Sequence, residues 1–241
     1  MLHKTRGIVL HTTDYSETSI VAKIYTELFG LQSYIVNSVR KKNAKIKSNV
    51  FQPLTLVDLV VYHKERGGLQ RVAEVKPMPA LRNIPFDIRK SSMALFLDEV
   101  LYKSIREEEC NPSLFEFIFH AVQMLDLQSP ANADFHLLFL LQYSKYLGFF
   151  PAVNFDESHC VFNLQEGYFQ TDVPSHPYYI PAEASAYFFQ LLQALPDFNT
   201  NLFIPVDMKR QLIERILEYF ELHLSGFSGV KSHRVLEQIF L

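Results

Sequence analysis

A cluster of basic side chains is the strongest candidate for chemistry in this sequence. Five basic residues fall within eight positions with no acidic residue among them: Arg40, Lys41, Lys42, Lys45 and Lys47. Because the phosphates of nucleic acids attract local positive charge, a loop of this composition favours phosphate contact. The alternative is an ordinary charged turn that is exposed to water.

Signatures of catalysis are weak. Cys160 follows His159, but adjacent side chains seldom point at each other, and no third group is placed to orient the histidine. Gly67 and Gly68 lack the Lys and Ser/Thr of a phosphate-binding P-loop. No pair of carboxylates has the spacing of a hydrolase or nuclease site. We therefore expect no enzymatic activity, and an enzyme whose site assembles from distant residues stays an alternative.

Positive charge is concentrated in the first third of the 241-residue chain. Residues 1–81 contain 12 Lys or Arg and 6 Asp or Glu, whereas residues 82–241 contain 11 and 20. This asymmetry indicates two domains with different partners. An acidic second domain suits protein partners better than DNA.

Three features indicate a cytoplasmic protein that is not inserted in a membrane. Cys110 and Cys160 are too few for a disulfide scaffold and are compatible with reduced thiols. The N-terminus has no apolar run long enough for a signal peptide. The longest apolar stretch, residues 135–141, is far shorter than the roughly 20 residues of a membrane span.

Predicted β-strands position the basic cluster. Alternating and β-branched residues predict strands over residues 5–12, 18–26, 31–39, 51–62 and 69–75. Five short strands indicate an OB-fold, a small barrel that often binds single-stranded nucleic acid, with an SH3-like barrel as the alternative. The cluster then lies between the third and fourth strands. Tyr34 and Phe51 could stack on bases or pack in the barrel core.

The pattern becomes helical after a proline-rich linker at residues 76–85. Periodicity and capping residues predict helices near 91–105, 111–125, 132–147, 182–195, 207–224 and 232–240. Residues 149–181 interrupt them with an irregular insertion that contains a β-hairpin at 161–169. The predicted fold is therefore α+β and multidomain, with an OB-fold β-barrel over residues 1–80 and an α-helical domain over residues 81–241.

An ordered set of segments resembles the RecO family of bacterial DNA repair proteins, which are recombination mediators. The segments are residues 5–10 (TRGIVL), 14–17 (DYSE), 25–30 (YTELFG), 51–56 (FQPLTL) and 229–238 (GVKSHRVLEQ). The resemblance spans the whole chain and is most specific in the N-terminal third. No single motif is diagnostic, and the ordered set carries the resemblance.

The resemblance implies an OB-fold followed by a helical domain, binding of single- and double-stranded DNA, and annealing of complementary strands. It implies RecR, the single-stranded-DNA-binding protein and, functionally, the RecA recombinase as partners. It also favours DNA contact by the basic cluster. Four other basic residues could widen that contact: Lys4, Arg6, Arg66 and Arg71. An RNA-binding OB-fold module and a non-catalytic protein scaffold stay alternatives.

A second basic set lies among apolar residues near the C-terminus. Its members are Lys209, Arg210, Arg215, Lys231 and Arg234. Family members bind the acidic, apolar-ended tail of the single-stranded-DNA-binding protein with their helical domain. The resemblance therefore implies that some of these residues edge a groove for that tail.

The chain departs from the family at a metal site. Many members carry four zinc-binding cysteines in the segment that corresponds to residues 149–181. Here that segment offers His159, Cys160 and His176, without the paired cysteines of a tetrahedral structural site. We expect no zinc and no other cofactor, and we expect aromatic packing to hold the hairpin instead.

Overall fold

The computed structural model describes residues 1–41, 44, 46–64 and 68–240. Within the N-terminal part of these residues, five strands form a closed barrel. The strands are β1 (Leu2–Asp14), β2 (Ile20–Thr26), β3 (Gly30–Val36), β4 (Leu56–Tyr62) and β5 (Gln70–Pro77). Their hydrogen-bonded order is β1-β2-β3-β5-β4, and antiparallel pairing of β4 with β1 closes the barrel.

This topology is an OB-fold and confirms the predicted fold class. The first half of β1 pairs with β4, and its second half pairs with β2. A short parallel pairing joins β3 to β5. The predicted fourth strand is wrong at its beginning, because residues Ser48–Phe51 form a 3-10 turn. Pro53 follows in that connection, where a residue without an N–H breaks no strand ladder.

Strand alternation fills the barrel with apolar side chains. Ile20, Ala22 and Ile24 of β2 point inward and are buried, as the alternating sequence predicts. Gly7 lies where β1 crosses the core, and a Cβ there would approach the Ile24 side chain to 2.7 Å and the Leu59 side chain to 2.8 Å. Any larger residue at this position would therefore force the Ile24 and Leu59 side chains to shift.

In the described part of the chain, six helices follow the barrel, and three short strands form a small sheet. The helices are α1 (Ile88–Ser104), α2 (Pro112–Leu127), α3 (Phe135–Leu147), α4 (Ala182–Ala194), α5 (Val206–His223) and α6 (His233–Phe240). The strands are β6 (Val161–Asn163), β7 (Tyr168–Gln170) and β8 (Tyr179–Ile180). None of the described helices combines the length and apolar content that crossing a membrane requires.

Helix ends follow local capping chemistry. Asp87 accepts hydrogen bonds from the backbone N–H groups of Arg89 and Lys90, so α1 begins earlier than the predicted start at residues 91–92. Asn111 caps α2 as predicted, since its side chain accepts from the Leu114 N–H at 3.0 Å.

The chain divides into two compact units, Met1–Leu127 and Gln128–Leu241. The first unit contains the barrel with α1 and α2, and the second contains α3 to α6 with the small sheet. The sequence-based boundary at residue 80 stays a prediction.

One carboxylate fixes the segment between β5 and α1 in the first unit. The side chain of Asp126, which is buried, accepts hydrogen bonds from the backbone N–H groups of Arg82, Asn83 and Ile84 at 2.9, 2.8 and 2.8 Å. Lys90, which is 3% exposed, donates its Nζ to the Asp126 carbonyl at 2.7 Å. The segment predicted as a stiff linker is thus also held by hydrogen bonds to α2.

An aromatic cluster holds the hairpin of the second unit. Phe162 of β6 packs at 4.9 Å between ring centroids against Phe169 of β7 and at 4.7 Å against Phe188 of α4. Phe155 packs against Phe169 at 5.3 Å. Since all but Phe155 are fully buried, apolar packing accounts for the shape of this segment.

Candidate nucleic-acid interface

Two connections of the barrel meet at one end, and strand register fixes this arrangement. Ile20 at the start of β2 pairs with Asp14 at the end of β1 and with Val36 at the end of β3. The β1–β2 and β3–β4 connections therefore leave the barrel side by side. We call this region the loop end of the barrel. The basic cluster lies in the β3–β4 connection.

The β3–β4 connection forms a concave surface, which we call the basic hollow. Backbone bonds shape it, since the N–H of Arg40 donates to the Thr18 carbonyl and the N–H of Lys41 donates to the Ser38 carbonyl, both at 3.3 Å. A positively charged concavity of this kind suits a phosphate group. Its described lining residues are Val39, Arg40, Lys41, Ala44, Lys47, Ser48 and Asn49.

The protein neutralises only part of the charge in the basic hollow. The guanidinium of Arg40 forms an ion pair with Asp14. Within residues 1–41, 44, 46–64 and 68–240, no ion pair is found for Lys41 or Lys47. Their amines are therefore open to an anionic ligand. Three predicted site residues lie outside the described residues and stay predictions: Lys42, Lys45 and Arg66.

The β4–β5 connection carries further charge at another part of the barrel, because Tyr62 at the end of β4 pairs with Leu2 at the start of β1, and His63 stacks on Phe29 before β3. Gln70 closes this connection, because its Oε1 accepts from the Lys64 N–H at 3.0 Å and its Nε2 donates to the Lys64 carbonyl at 3.1 Å. The Lys64 side chain is exposed and was not among the predicted site residues. Its position in the sequence, two residues after a strand and two residues before Arg66, could have indicated it as a site residue. Arg71, which was predicted, is exposed on the outer face of β5.

Arg6 joins the barrel to α2. Its Nε and Nη2 donate to the carboxylate of Glu27 at 2.9 and 2.8 Å, and it also forms an ion pair with Glu116. The guanidinium lies over the rings of Phe115 and Phe119, at 5.2 and 4.9 Å from their centroids. The hydrogen bonds with Glu27 raise the pKa of Arg6 and lower the pKa of Glu27. The positive charge of Arg6 is therefore already paired with the carboxylates of Glu27 and Glu116.

Lys4 faces another surface of the barrel. It pairs in register with Val60 of β4, whose neighbour on β5 is Glu74. The hollow there has charged lining residues of both signs, namely Lys4, Arg6, Glu27, Asp58, Glu74 and Lys76. This mixed charge attracts phosphate less strongly than the basic hollow does.

The two aromatic candidates for base stacking belong to the core. Tyr34 is 0% exposed and Phe51 is 3% exposed. Burial raises the pKa of Tyr34 to about 12, which is the expected effect on a phenol that is removed from water. Of the two interpretations open for these residues, core packing is the one observed.

A pocket between α5 and α6 contains two of the five basic residues predicted to bind a partner. Lys209 forms an ion pair with the buried carboxylate of Asp134 at 2.6 Å, and Arg210 lies 3.5 Å from Asp207. Burial lowers the pKa of His136 to about 3, and the charge of Lys209 adds to this shift. The lining is mostly apolar with charged side chains of both signs, comprising Ala133, His136, Val206, Lys209, Arg210, Ile213, Leu236 and Glu237.

The other three predicted partner-binding residues lie outside this pocket. Arg215 donates to Glu218 at 2.6 Å and lines a separate hollow with Glu214 and Glu221. Lys231 and Arg234 are exposed, just before α6 and on it. The structure therefore brings together Lys209 and Arg210, but not the full set.

The possible metal ligands of the second unit are dispersed. Nδ1 of His159 lies 2.9 Å from Asp156 on the surface, and its hydrogen bond lowers the pKa of Asp156. His176 packs against Tyr178 at 5.9 Å, and Cys160 is a free thiol. Among the residues that the structure describes, no three His, Cys, Asp or Glu side chains are grouped to hold a metal. The expectation that zinc is absent stays a prediction.

Two family models match the chain and together span most of it. Residues 1–80 match the model of the recombination protein O N terminal domain. Residues 85–233 match the model of the recombination protein O C terminal domain.

Full-length relatives agree with the family models. The chain is 35% identical over 242 residues to the DNA repair protein RecO of Phocaeicola vulgatus, with all of both chains covered. It is 36% identical over 245 residues to the protein of that name from Bacteroides fragilis, again with both chains covered completely. With the Flavobacterium psychrophilum protein it shares 37% identity over 241 residues, covering 98% of each chain.

Proposed function

This chain belongs to the RecO family of DNA repair proteins, and from that premise we propose that it is a non-catalytic, cytoplasmic mediator of homologous recombination. It binds single- and double-stranded DNA without reading sequence, and it anneals complementary strands. The observation that carries the proposal is the basic hollow at the loop end of the barrel, where no ion pair is found for Lys41 or Lys47 among the described residues. Loops at this position are where OB-folds commonly hold oligonucleotides.

Annealing follows from charge neutralisation. Amines such as those of Lys41 and Lys47, which have no carboxylate partner among the described residues, replace the counterions around DNA phosphates. Two strands held on the same positive surface repel each other less than two free strands. Phosphate contacts carry no sequence information, so any complementary pair is a substrate, and no nucleotide triphosphate is needed.

An annealing assay tests this function. Two complementary oligonucleotides that carry a fluorophore and a quencher pair faster when the protein is added without ATP, and added salt abolishes the acceleration. When the affinities for DNA and RNA strands of equal length are compared, the protein should bind the DNA more tightly. Unaccelerated pairing contradicts the mediator function, and a preference for RNA supports the RNA-binding alternative. Binding of neither nucleic acid supports a protein scaffold.

The partner assignments rest on family membership. We propose that the protein acts with RecR to help load RecA on DNA that is coated by single-stranded-DNA-binding protein. The pocket between α5 and α6 fits the acidic, apolar-ended tail of that coating protein. Arg210 would meet the acidic residues, and Val206, Ile213 and Leu236 would meet the apolar end.

Arg210→Glu is expected to weaken binding of a fluorescent tail peptide at least tenfold, because it reverses the charge at the rim of the pocket. Arg215→Glu makes the same charge change on the same helix but in a separate hollow beside Glu218, and should leave affinity within a factor of about two. Lys209 is avoided because its loss would leave the buried Asp134 carboxylate unpaired. Equal peptide affinity of the two variants contradicts this site.

A further inference from the structure

The outer face of the barrel carries an exposed aromatic ring at the end of β4. Val57, Leu59 and Val61 of β4 are buried, whereas the ring of Tyr62 at the strand's last position is 44% exposed. The partial alternation along β4 explains this placement, since Tyr62 follows the inward-facing Val61. Tyr62 was not among the predicted site residues, although the same alternation indicates its outward position.

Register surrounds this ring with the groups that a nucleic-acid site requires. Tyr62 is paired directly with Arg71 of β5 on one side and with Leu2 of β1 on the other. Directly opposed side chains of antiparallel strands lie about 5 Å apart at Cβ. Lys64, which is exposed, follows two residues after Tyr62. The ring thus has one cation beside it and a second cation close by in the chain.

Among the described residues, no aromatic or cation–π pair includes Tyr62. By contrast, the next residue, His63, stacks on Phe29 at 3.8 Å between ring centroids. Leu2, which pairs with Tyr62 and is 55% exposed, gives the phenol an apolar neighbour. An aromatic face with an apolar neighbour and nearby cations favours the face of an unpaired base.

We propose that Tyr62 stacks on an unpaired base and gives this interface a preference for single-stranded over double-stranded DNA. The inference rests on the proposed function and deepens it. Phosphate contacts at the basic hollow hold both kinds of DNA. Only a single strand can turn a base outward onto the ring, because the bases of a duplex are already stacked on one another.

Removal of the ring separates stacking from charge. Tyr62→Ala should lower affinity for a single-stranded oligonucleotide about tenfold, within the usual range for one base–aromatic stack. Its affinity for a duplex and for an abasic strand of equal length should not change. The salt dependence should keep its slope, because no positive charge is lost. Tyr62→Phe should bind like the wild-type protein, since the ring and not the hydroxyl makes the contact.

A fluorescent substitution gives a direct readout. The chain contains no tryptophan, so Tyr62→Trp introduces a single reporter at this position. Its emission should be quenched by a single strand and remain unchanged with the abasic strand and the duplex. Tyr168→Trp is the matched control, because Tyr168 is 41% exposed on β7 in the second unit. That variant should show no quenching with any of the three ligands.

The outcomes distinguish this inference from the function on which it rests. If the wild-type protein binds no single-stranded DNA, the proposed function fails. If it binds, but the tryptophan at position 62 is not quenched and Tyr62→Ala binds as tightly as wild type, stacking alone is wrong. An equal loss of affinity for the single strand, the duplex and the abasic strand also overturns stacking, because it assigns Tyr62 to the fold or to the DNA backbone.

Discussion

Replacing Asp126 with alanine lowers the free energy of unfolding by about 3 kcal/mol. Its carboxylate accepts three consecutive backbone N–H groups, from Arg82, Asn83 and Ile84. Without it these donors lose a charged acceptor, and the cost of leaving a partly buried donor unpaired is about 1–3 kcal/mol. Loss of these bonds also releases the segment that joins the barrel to α1.

Urea denaturation followed by circular dichroism measures this effect. Asp126→Asn keeps one acceptor oxygen and should lose about half as much stability. Asp87→Ala is the matched control, because Asp87 also accepts two backbone N–H groups, but at an exposed helix start. Loss of that cap costs about 1 kcal/mol. If Asp126→Ala costs no more than Asp87→Ala, the carboxylate does not hold the segment.

Local sequence signals predicted the elements of this protein well. Alternation of Ile20, Ala22 and Ile24 indicated both the strand and its buried face. The basic cluster was visible in composition alone, and its place between the third and fourth strands was predicted correctly. These features depend on neighbours in the chain, which a single sequence displays. The fold class followed from their order and from the family resemblance.

The arrangement of the site depends on contacts between distant residues, which a single sequence does not display. The pairing of Ile20 with Val36 and the hydrogen bond from the Arg40 N–H to the Thr18 carbonyl bring the basic hollow beside the β1–β2 connection. Arg6 was grouped with the DNA-binding candidates by its charge, and its ion pair with Glu116, 110 positions away, became visible only in the structure. Tyr62 is a different case, since strand alternation already indicated that it faces outward.

Replacing the five basic residues of the β3–β4 connection with alanine is expected to reduce affinity for single-stranded DNA about a thousandfold at 0.1 M salt. Each phosphate neutralised on a single strand contributes about 0.7 to the slope of log affinity against log salt concentration. Four contacts among the five residues therefore change the slope by roughly 3. The variant comprises Arg40→Ala, Lys41→Ala, Lys42→Ala, Lys45→Ala and Lys47→Ala.

A control variant removes charge from another surface of the barrel. Lys4 and Lys76 line the hollow of mixed charge with Asp58 and Glu74. Lys4→Ala combined with Lys76→Ala should change the slope by less than about 1. If this control variant loses as much DNA affinity per charge removed as the five-residue variant does, DNA binding depends on net charge and not on the basic hollow.

The central claim is that the basic hollow holds DNA phosphates, and the most direct test is fluorescence anisotropy of a labelled single strand across a salt series. Wild-type protein should bind with a steep negative slope, and the five-alanine variant should bind more weakly with a slope that is shallower by roughly 3. Equal affinities of the two proteins, with the same dependence on salt concentration, would contradict the claim and place the DNA on another surface.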